Sequence, residues 1–247
     1  MKKKIIALLL IGTFCLSLTA CGGGVAKTSQ DSNFEKKVLH IEDDAQAESD
    51  EEAGDEDDYQ LEIPDAVTNI SPEDDQALTG VLTEDAYRND YFGITINKIE
   101  GGTIESLMDS GTDIMPLSET YTNGNGCIMI STRSAYNECS ISMTVSAVTS
   151  KDQGKKEEDL AQERYDLEQG INEAMGYKAE CAVETINIAG EDHHAYTEIS
   201  NTEGGRAKSA TVCIIKGDFQ SNISIYAPED QFEDVLKYIE GLASASL

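Results

Sequence analysis

The densest group of potential metal ligands and acid–base side chains is residues 191–194, with the sequence Glu-Asp-His-His. Imidazole and carboxylate groups together could hold a transition metal or activate a nucleophile. Adjacent residues of a strand point to opposite faces, however, so His193 and His194 cannot jointly hold one ion on a regular strand. The stretch is therefore interpreted as a turn that leads into a strand, and neither a metal site nor a cofactor is assigned.

Four cysteines of the predicted folded region could supply thiol chemistry, namely Cys127, Cys139, Cys181 and Cys213. A cysteine hydrolase would pair one of them with His193 or His194, but no nucleophile signature surrounds any of the four. All lie in predicted strands, where they could be buried free thiols or, in an oxidising compartment, form one or more disulfides. No Cys-x-x-Cys spacing indicates zinc. No catalytic residue is therefore assigned, and the disulfide pairing stays open.

Other catalytic patterns are missing from the sequence, but one loop is a candidate for binding. No Gly-x-Ser-x-Gly, His-Glu-x-x-His or P-loop motif occurs, and no pair among the 47 acidic residues can be singled out for hydrolysis. The predicted loop 110–126 is long for a compact domain, and long loops often carry binding surfaces. Its candidate partner-contact residues are Met115, Pro116, Leu117 and Tyr121.

A different chemistry is indicated near the N-terminus. A basic segment, Lys2 to Lys4, precedes an apolar run at residues 5–18 that ends in Leu18-Thr19-Ala20-Cys21. This run has the dimensions of an export signal and falls short of the roughly 20 residues that span a bilayer. The four residues resemble the lipobox of bacterial lipoproteins, which implies cleavage between Ala20 and Cys21 and acylation of the Cys21 thiol. An ordinary secretory signal cleaved after Ala20 and an uncleaved anchor are the alternatives.

The lipobox interpretation predicts both the location and the organisation of the chain. Residues 1–20 would be a lipoprotein signal peptide, and two or three acyl chains such as palmitate on Cys21 would hold the mature protein permanently to a membrane. We expect it on the outer face of the cytoplasmic membrane. Between residues 42 and 75 the chain carries 16 acidic and no basic residues, so residues 21–76 are predicted to be a disordered acidic tether.

Residues 77–247 are predicted to form one α+β domain, an antiparallel β-sheet with helices on its faces. Strands are indicated at 81–87, 91–97 and 127–132, and strict alternation at 139–148 gives the clearest strand signal. Four further strands at 181–188, 195–200, 206–216 and 219–226 predict a meander. A helix from Asp152 to about Met175 would face the sheet with Leu160, Leu167, Ile171 and Ala174 or Met175, and a last helix from Pro228 would end at Gly241.

This order of elements resembles one known fold family. Residues 87–94, Tyr-Arg-Asn-Asp-Tyr-Phe-Gly-Ile, and the turn around Ile188-Ala189-Gly190 are similar to phrases of the PsbP-like α/β/α sandwich proteins. The resemblance covers most of residues 80–245. It implies an α/β/α sandwich of the kind found in tethered lipoproteins of Gram-positive bacteria, and it implies binding or scaffolding more than catalysis.

Together these observations favour a non-enzymatic, lipid-anchored surface protein with a protein partner in the cell envelope. The formal net charge of −29 excludes nucleic acid, because phosphate binding needs clusters of basic residues. The alternatives are a cell-envelope hydrolase, with an active site assembled from distant residues, and a small solute-binding lipoprotein. The usual two-lobed solute receptors need more folded residues than this chain has.

Overall fold

The structure is a computed structural model that describes residues 63–108, 113–135 and 138–241. Cys21, the signal peptide and most of the tether lie outside the described residues, so these remain predictions. Five helices are described: α1 (Asp65–Thr68), α2 (Pro72–Thr79), α3 (Leu117–Thr122), α4 (Glu157–Met175) and α5 (Phe232–Leu236), the last preceded by a 3₁₀ turn at Glu229–Gln231. No described helix is both long and apolar enough to cross a membrane.

The described residues form eleven strands. They are β1 (Val81–Leu82), β2 (Ala86–Asn89), β3 (Ile94–Asn97), β4 (Thr103–Ser106), β5 (Ile128–Ser134), β6 (Cys139–Ala147), β7 (Ala179–Ile188), β8 (Glu191–Thr202), β9 (Gly205–Lys216), β10 (Phe219–Pro228) and β11 (Ile239–Gly241). The strands pair antiparallel throughout, in a seven-stranded sheet ordered β4-β5-β6-β10-β9-β8-β7 and a four-stranded sheet ordered β1-β2-β3-β11. The predicted α+β antiparallel class is confirmed.

Two helices begin before residue 77, the predicted start of the domain: α1 lies wholly before it and α2 spans it. Ser71 caps α2 by accepting a hydrogen bond from the Asp74 backbone N–H at 3.1 Å, and Pro72 occupies the first helical position. Leu78 is fully buried in the core. Asp75 accepts hydrogen bonds from both the backbone N–H and the hydroxyl of Ser118, which ties α2 to α3. The acidic residues 65–75 therefore lie in a folded segment that packs on the domain, although the sequence analysis placed them in the tether.

The hydrophobic core joins the two sheets. Its fully buried members include Ile96 of β3, Ile141 and Met143 of β6, and Ile223 of β10. The apolar face of β6 is buried in this core, as the alternation of the sequence predicted, and Ser142 and Ser146 on its other face are buried too. The predicted meander is also confirmed, since β7 to β10 pair in consecutive hairpins.

Helix α4 covers the opposite face of the large sheet, but with a different register from the one predicted. It begins at Glu157, because Asp152 is held in the preceding turn by Thr149 and Lys155. Leu160 is buried, whereas Leu167 is 46% exposed and Met175 is 51% exposed. The predicted end is confirmed: Gly176 adopts the left-handed conformation, with φ of 70°.

The last predicted helix is shorter than expected. Helix α5 ends at Leu236, and Ile239 pairs with Ile96 as the first residue of β11. The sequence pattern required Ile239 to be buried, and it is 5% exposed, but it is buried in a strand rather than in a helix. This C-terminal strand completes the four-stranded sheet.

Candidate partner-binding groove

One histidine of the 191–194 stretch contacts the first turn of α4. His193 Nδ1 lies 3.1 Å from a carboxylate oxygen of Glu157 at the start of α4. The hydrogen bond to Glu157, opposed in part by burial, raises the pKa of His193. Within the described ranges no three His, Cys, Asp or Glu side chains are grouped closely enough to hold a metal ion.

The four cysteines of the domain are free thiols in the structure. Cys181 contacts the Asn172 amide and the Tyr196 hydroxyl, and Cys213 contacts the Gln220 side chain. Burial raises the pKa of Cys127, which disfavours the reactive thiolate. Cys181 lies 3.4 Å from the hydroxyl of Tyr196, which in turn donates a hydrogen bond to Glu198 at 2.8 Å. Burial is the main cause of the raised pKa of Tyr196, so its hydroxyl stays a donor.

Two of the four candidate residues of the predicted contact loop lie in the core. Leu117 is fully buried and Tyr121 is 6% exposed. The Tyr121 hydroxyl accepts a hydrogen bond from the backbone N–H of Ala147 at 2.8 Å, and burial raises its pKa to about 12. Met115 and Pro116 are half-buried, and the Asn123 amide donates to the Met115 sulfur. The structure therefore places Leu117 and Tyr121 in the interior and leaves Met115 and Pro116 partly exposed.

The structure instead presents a groove that the sequence analysis did not find. It has a volume of about 920 Å³ and lies where the open edge of β7 faces α5 and β11. Its walls are Glu184, Thr185, Ile186 and Asn187 of β7 on one side, and Leu236, Lys237 and Ile239–Gly241 on the other. None of the candidate residues of the 110–126 loop lines it.

A partly buried lysine forms part of the groove wall. Lys208 Nζ lies 2.9 Å from a carboxylate oxygen of Glu184 and 5.0 Å from the ring centroid of Phe232. Its side chain is 17% exposed, so the ion pair and the cation–π contact are partly shielded from water. These contacts link β9 to both β7 and α5, and they fix the two walls relative to each other.

A second basic residue braces the same region. Arg206 is bidentate to Glu180 of β7, at 2.9 and 3.1 Å, and its Nε lies 2.6 Å from Glu229 in the 3₁₀ turn before α5. The Arg206 hydrogen bonds lower the pKa of Glu180, and both partners raise the pKa of Arg206. Lys208 and Arg206 are held in these internal pairs, and the exposed Lys237 of the rim pairs with Asp234 outside the groove lining. With Glu233 and Glu240 exposed beside it, the rim of the groove is acidic.

The groove has unpaired strand edges on both sides. The β7–β8 hairpin has a two-residue turn, Ala189 and Gly190, both at positive φ. The flanking pair Ile188–Glu191 is therefore a hydrogen-bonded pair, and hydrogen-bonded pairs recur at every second position along the ladder. The N–H and C=O groups of Thr185 and Asn187 therefore point away from β8. Beside β11, the Asn97 N–H donates a hydrogen bond to the Tyr238 carbonyl, so Asn97 and Tyr238 are a hydrogen-bonded pair. The next pair, Ile96–Ile239, is then a non-hydrogen-bonded pair, and the backbone N–H and C=O of Ile239 point away from β3.

No family model matches the sequence, and no curated protein is significantly similar to it. Several solved structures resemble it distantly. A chain from Bacteroides thetaiotaomicron VPI-5482 is 10% identical with a TM-score of 0.31 over 66% of this chain and 50% of its own length, so the match spans half of that protein.

Two further similar structures have printed descriptions. LpqN, described as involved in cell envelope biogenesis of Mycobacterium tuberculosis, is 11% identical with a TM-score of 0.32 over 59% of this chain and 76% of its own length. The PsbP protein of Synechocystis sp. PCC 6803, CyanoP, is 12% identical with a TM-score of 0.35 over 66% of this chain and 93% of its own length. A PsbP protein is thus among the similar structures, but likenesses this distant transfer no function.

Proposed function

We propose that the chain is a lipid-anchored accessory protein of the cell envelope that holds a protein partner in the groove between β7 and β11. In this proposal Cys21 carries the acyl chains, and the folded region is displayed outside the cytoplasmic membrane. The resemblance of residues 18–21 to a lipobox supports the anchor. The groove, with unpaired strand edges on two sheets, is the observation that carries the binding function.

The groove suits a macromolecular partner because its walls are braced in advance. The ion pairs of Lys208 and Arg206 connect β7 to β9 and to the segment that leads into α5. A preorganised site loses less conformational entropy on binding than a mobile one. The groove is also open along its strand edges, so a chain of several residues could enter it without a large rearrangement.

The anchor is tested with the full chain expressed in a bacterium with its native N-terminus. We expect mass spectrometry to find an N-terminal diacylglyceryl cysteine at Cys21, and Cys21→Ser to release the protein from the membrane fraction. Cys15→Ser, within the signal segment, is the matched control and should leave the protein on the membrane. An unmodified Cys21 would overturn the anchor.

The binding function is tested by photo-crosslinking in the same cells. A photoreactive amino acid replaces Lys237 at the groove or, as the control, Leu107, which is 46% exposed and follows β4 at the far edge of the large sheet. We expect a discrete crosslinked protein from position 237 and none of that mass from position 107. The absence of a specific product from 237, or equal products from both positions, would contradict the proposal.

A further inference from the structure

We propose that the groove binds its partner by strand addition, and that the bound segment is an extended polypeptide carrying basic residues. This inference rests on the proposed function, which it makes more specific. In this inference the backbone edge of β7 binds the segment, and the acidic rim favours segments that carry basic residues.

The first argument is the exposed edge of the large sheet. Strand β7 is ten residues long and pairs only with β8. Among the described residues, no backbone hydrogen bond from outside the ladder reaches Thr185 or Asn187. Long unpaired edges are usually shortened, bent by bulges, interrupted by proline or guarded by charged side chains. Strand β7 contains neither proline nor a break in its register, and its two charged residues, Glu180 and Glu184, are paired with Arg206 and Lys208. An extended chain laid along this edge would satisfy the free N–H and C=O groups.

The second argument is the opposite wall. The backbone groups of Ile239 on β11 also face away from their own sheet and toward the groove. The two walls meet where Gly241 lies against the carbonyl of Ala189 in the β7–β8 turn. The groove is therefore closed at that end, which sets a stop for a bound strand and so fixes its register.

The third argument is charge. Glu184 is paired with Lys208, and Lys237 of the opposite wall pairs with Asp234 and also interacts with Glu233. Glu240 is exposed and forms no ion pair with any described residue, so it is the carboxylate of the rim left for a basic ligand. A strand with Lys or Arg on alternate positions would place its charges toward this rim. A second copy of the chain would meet the same acidic rim, and the formal net charge of −29 opposes such self-association.

The test uses the full chain and fluorescence anisotropy with a labelled eight-residue peptide of alternating lysine and valine. Two peptides are controls: one with glutamate in place of lysine, and one with N-methyl groups on alternate residues, which keeps the charge but removes the hydrogen-bond donors of one edge. We expect the N-methylated peptide to bind about tenfold more weakly, the equivalent of one or two backbone hydrogen bonds. The acidic peptide should show no saturable binding.

Protein variants locate the binding site. Glu240→Gln should weaken binding of the basic peptide about two- to fivefold at low salt, while Glu173→Gln, an equal charge change on the exposed side of α4, should not. Thr185→Pro removes an outward N–H from β7, and Thr185→Val keeps it. We expect only the proline variant to lose affinity.

Equal affinity for the N-methylated and unmodified peptides would overturn strand addition without requiring any variant to fold. Equal losses from Glu240→Gln and Glu173→Gln would overturn the acidic rim as selector. Concentration-dependent dimers that Thr185→Pro abolishes would make a second copy the occupant and overturn the basic partner. If Lys237 crosslinks a partner while the peptide result is negative, the inference fails and the proposed function stands.

Discussion

Gly241 packs so closely on Ala189 that an added Cβ atom would overlap the Ala189 carbonyl oxygen. This approach joins the last strand of the small sheet to the β7–β8 turn of the large sheet. The contact involves backbone on both sides, so neither partner can yield by a side-chain rotation. The two sheets therefore depend on a glycine at this position.

The first prediction concerns this contact. Gly241→Ala should lower the free energy of unfolding by about 1–3 kcal/mol, the cost of overpacking a tight site. Gly170→Ala is the control, because Gly170 lies within α4 and an added Cβ there meets nothing within 4 Å. That change should raise the stability by about 0.5–1 kcal/mol through helix propensity. Urea unfolding of both variants measures the difference, and equal effects would contradict the contact.

The second prediction concerns Tyr121. Tyr121→Phe removes the acceptor for the Ala147 N–H and leaves a buried donor unpaired, which should cost about 1–3 kcal/mol of stability. Tyr177→Phe, at a tyrosine that is 48% exposed, should change the stability by less than about 0.5 kcal/mol. A stability loss from Tyr121→Phe, without loss of partner crosslinking at position 237, would confirm a structural role. A neutral Tyr121→Phe would contradict it.

The third prediction concerns the pH dependence that His193 contributes. Because Glu157 raises the pKa of His193 in the folded state, the protonated form is favoured by folding. This contribution is fully present below the unfolded pKa of about 6.5, and it is lost as the pH rises through the folded pKa. Glu191 and Asp192 raise the pKa further, so Glu157→Gln should reduce the effect without abolishing it.

The measurement is the change in unfolding free energy between pH 6 and pH 9. The natural chain should lose more stability over this range than the Glu157→Gln variant. Glu158→Gln, at the exposed neighbouring position in the first turn of α4, should behave like the natural chain. The same pH profile for all three proteins would contradict the predicted contribution of the Glu157 contact.

The fourth prediction tests the register of α4. Leu160 is 8% exposed, so Leu160→Ala should cost about 2–4 kcal/mol. Leu167 is 46% exposed, so Leu167→Ala should cost less than about 1 kcal/mol, even though the sequence pattern places both leucines on one stripe. Thermal and urea unfolding distinguish the two. Similar losses for both variants would contradict the register of α4 in the structure and support the one predicted from the sequence.

The difference in α4 shows where sequence reasoning reached its limit. The alternation in β6 was decisive because one face of a central strand is wholly apolar. The face of α4 toward the sheet instead includes Arg164 and Glu168, whose ion pair at 2.6 Å is largely shielded from water. A search for apolar periodicity misses such a face, and it favoured the exposed Leu167.

The groove could not be predicted for a related reason. Its walls come from β7 and β11, which are separated by about fifty residues, and its binding groups are backbone edges rather than side chains. Only strand order reveals an open edge, and strand order is a tertiary property. The sequence analysis also assigned Ile239 to a helix, so it did not predict β11, which forms the second wall.

The pairing of Ile239 with Ile96 also has a consequence for how the molecule is made. Strand β11 lies more than 140 residues after its neighbour β3, so the small sheet cannot be completed until the chain has been synthesised through residue 241. A nascent chain that stops before this strand would leave Ile96 without its neighbour. Termination before residue 239 should therefore yield an aggregation-prone product rather than a shorter working domain.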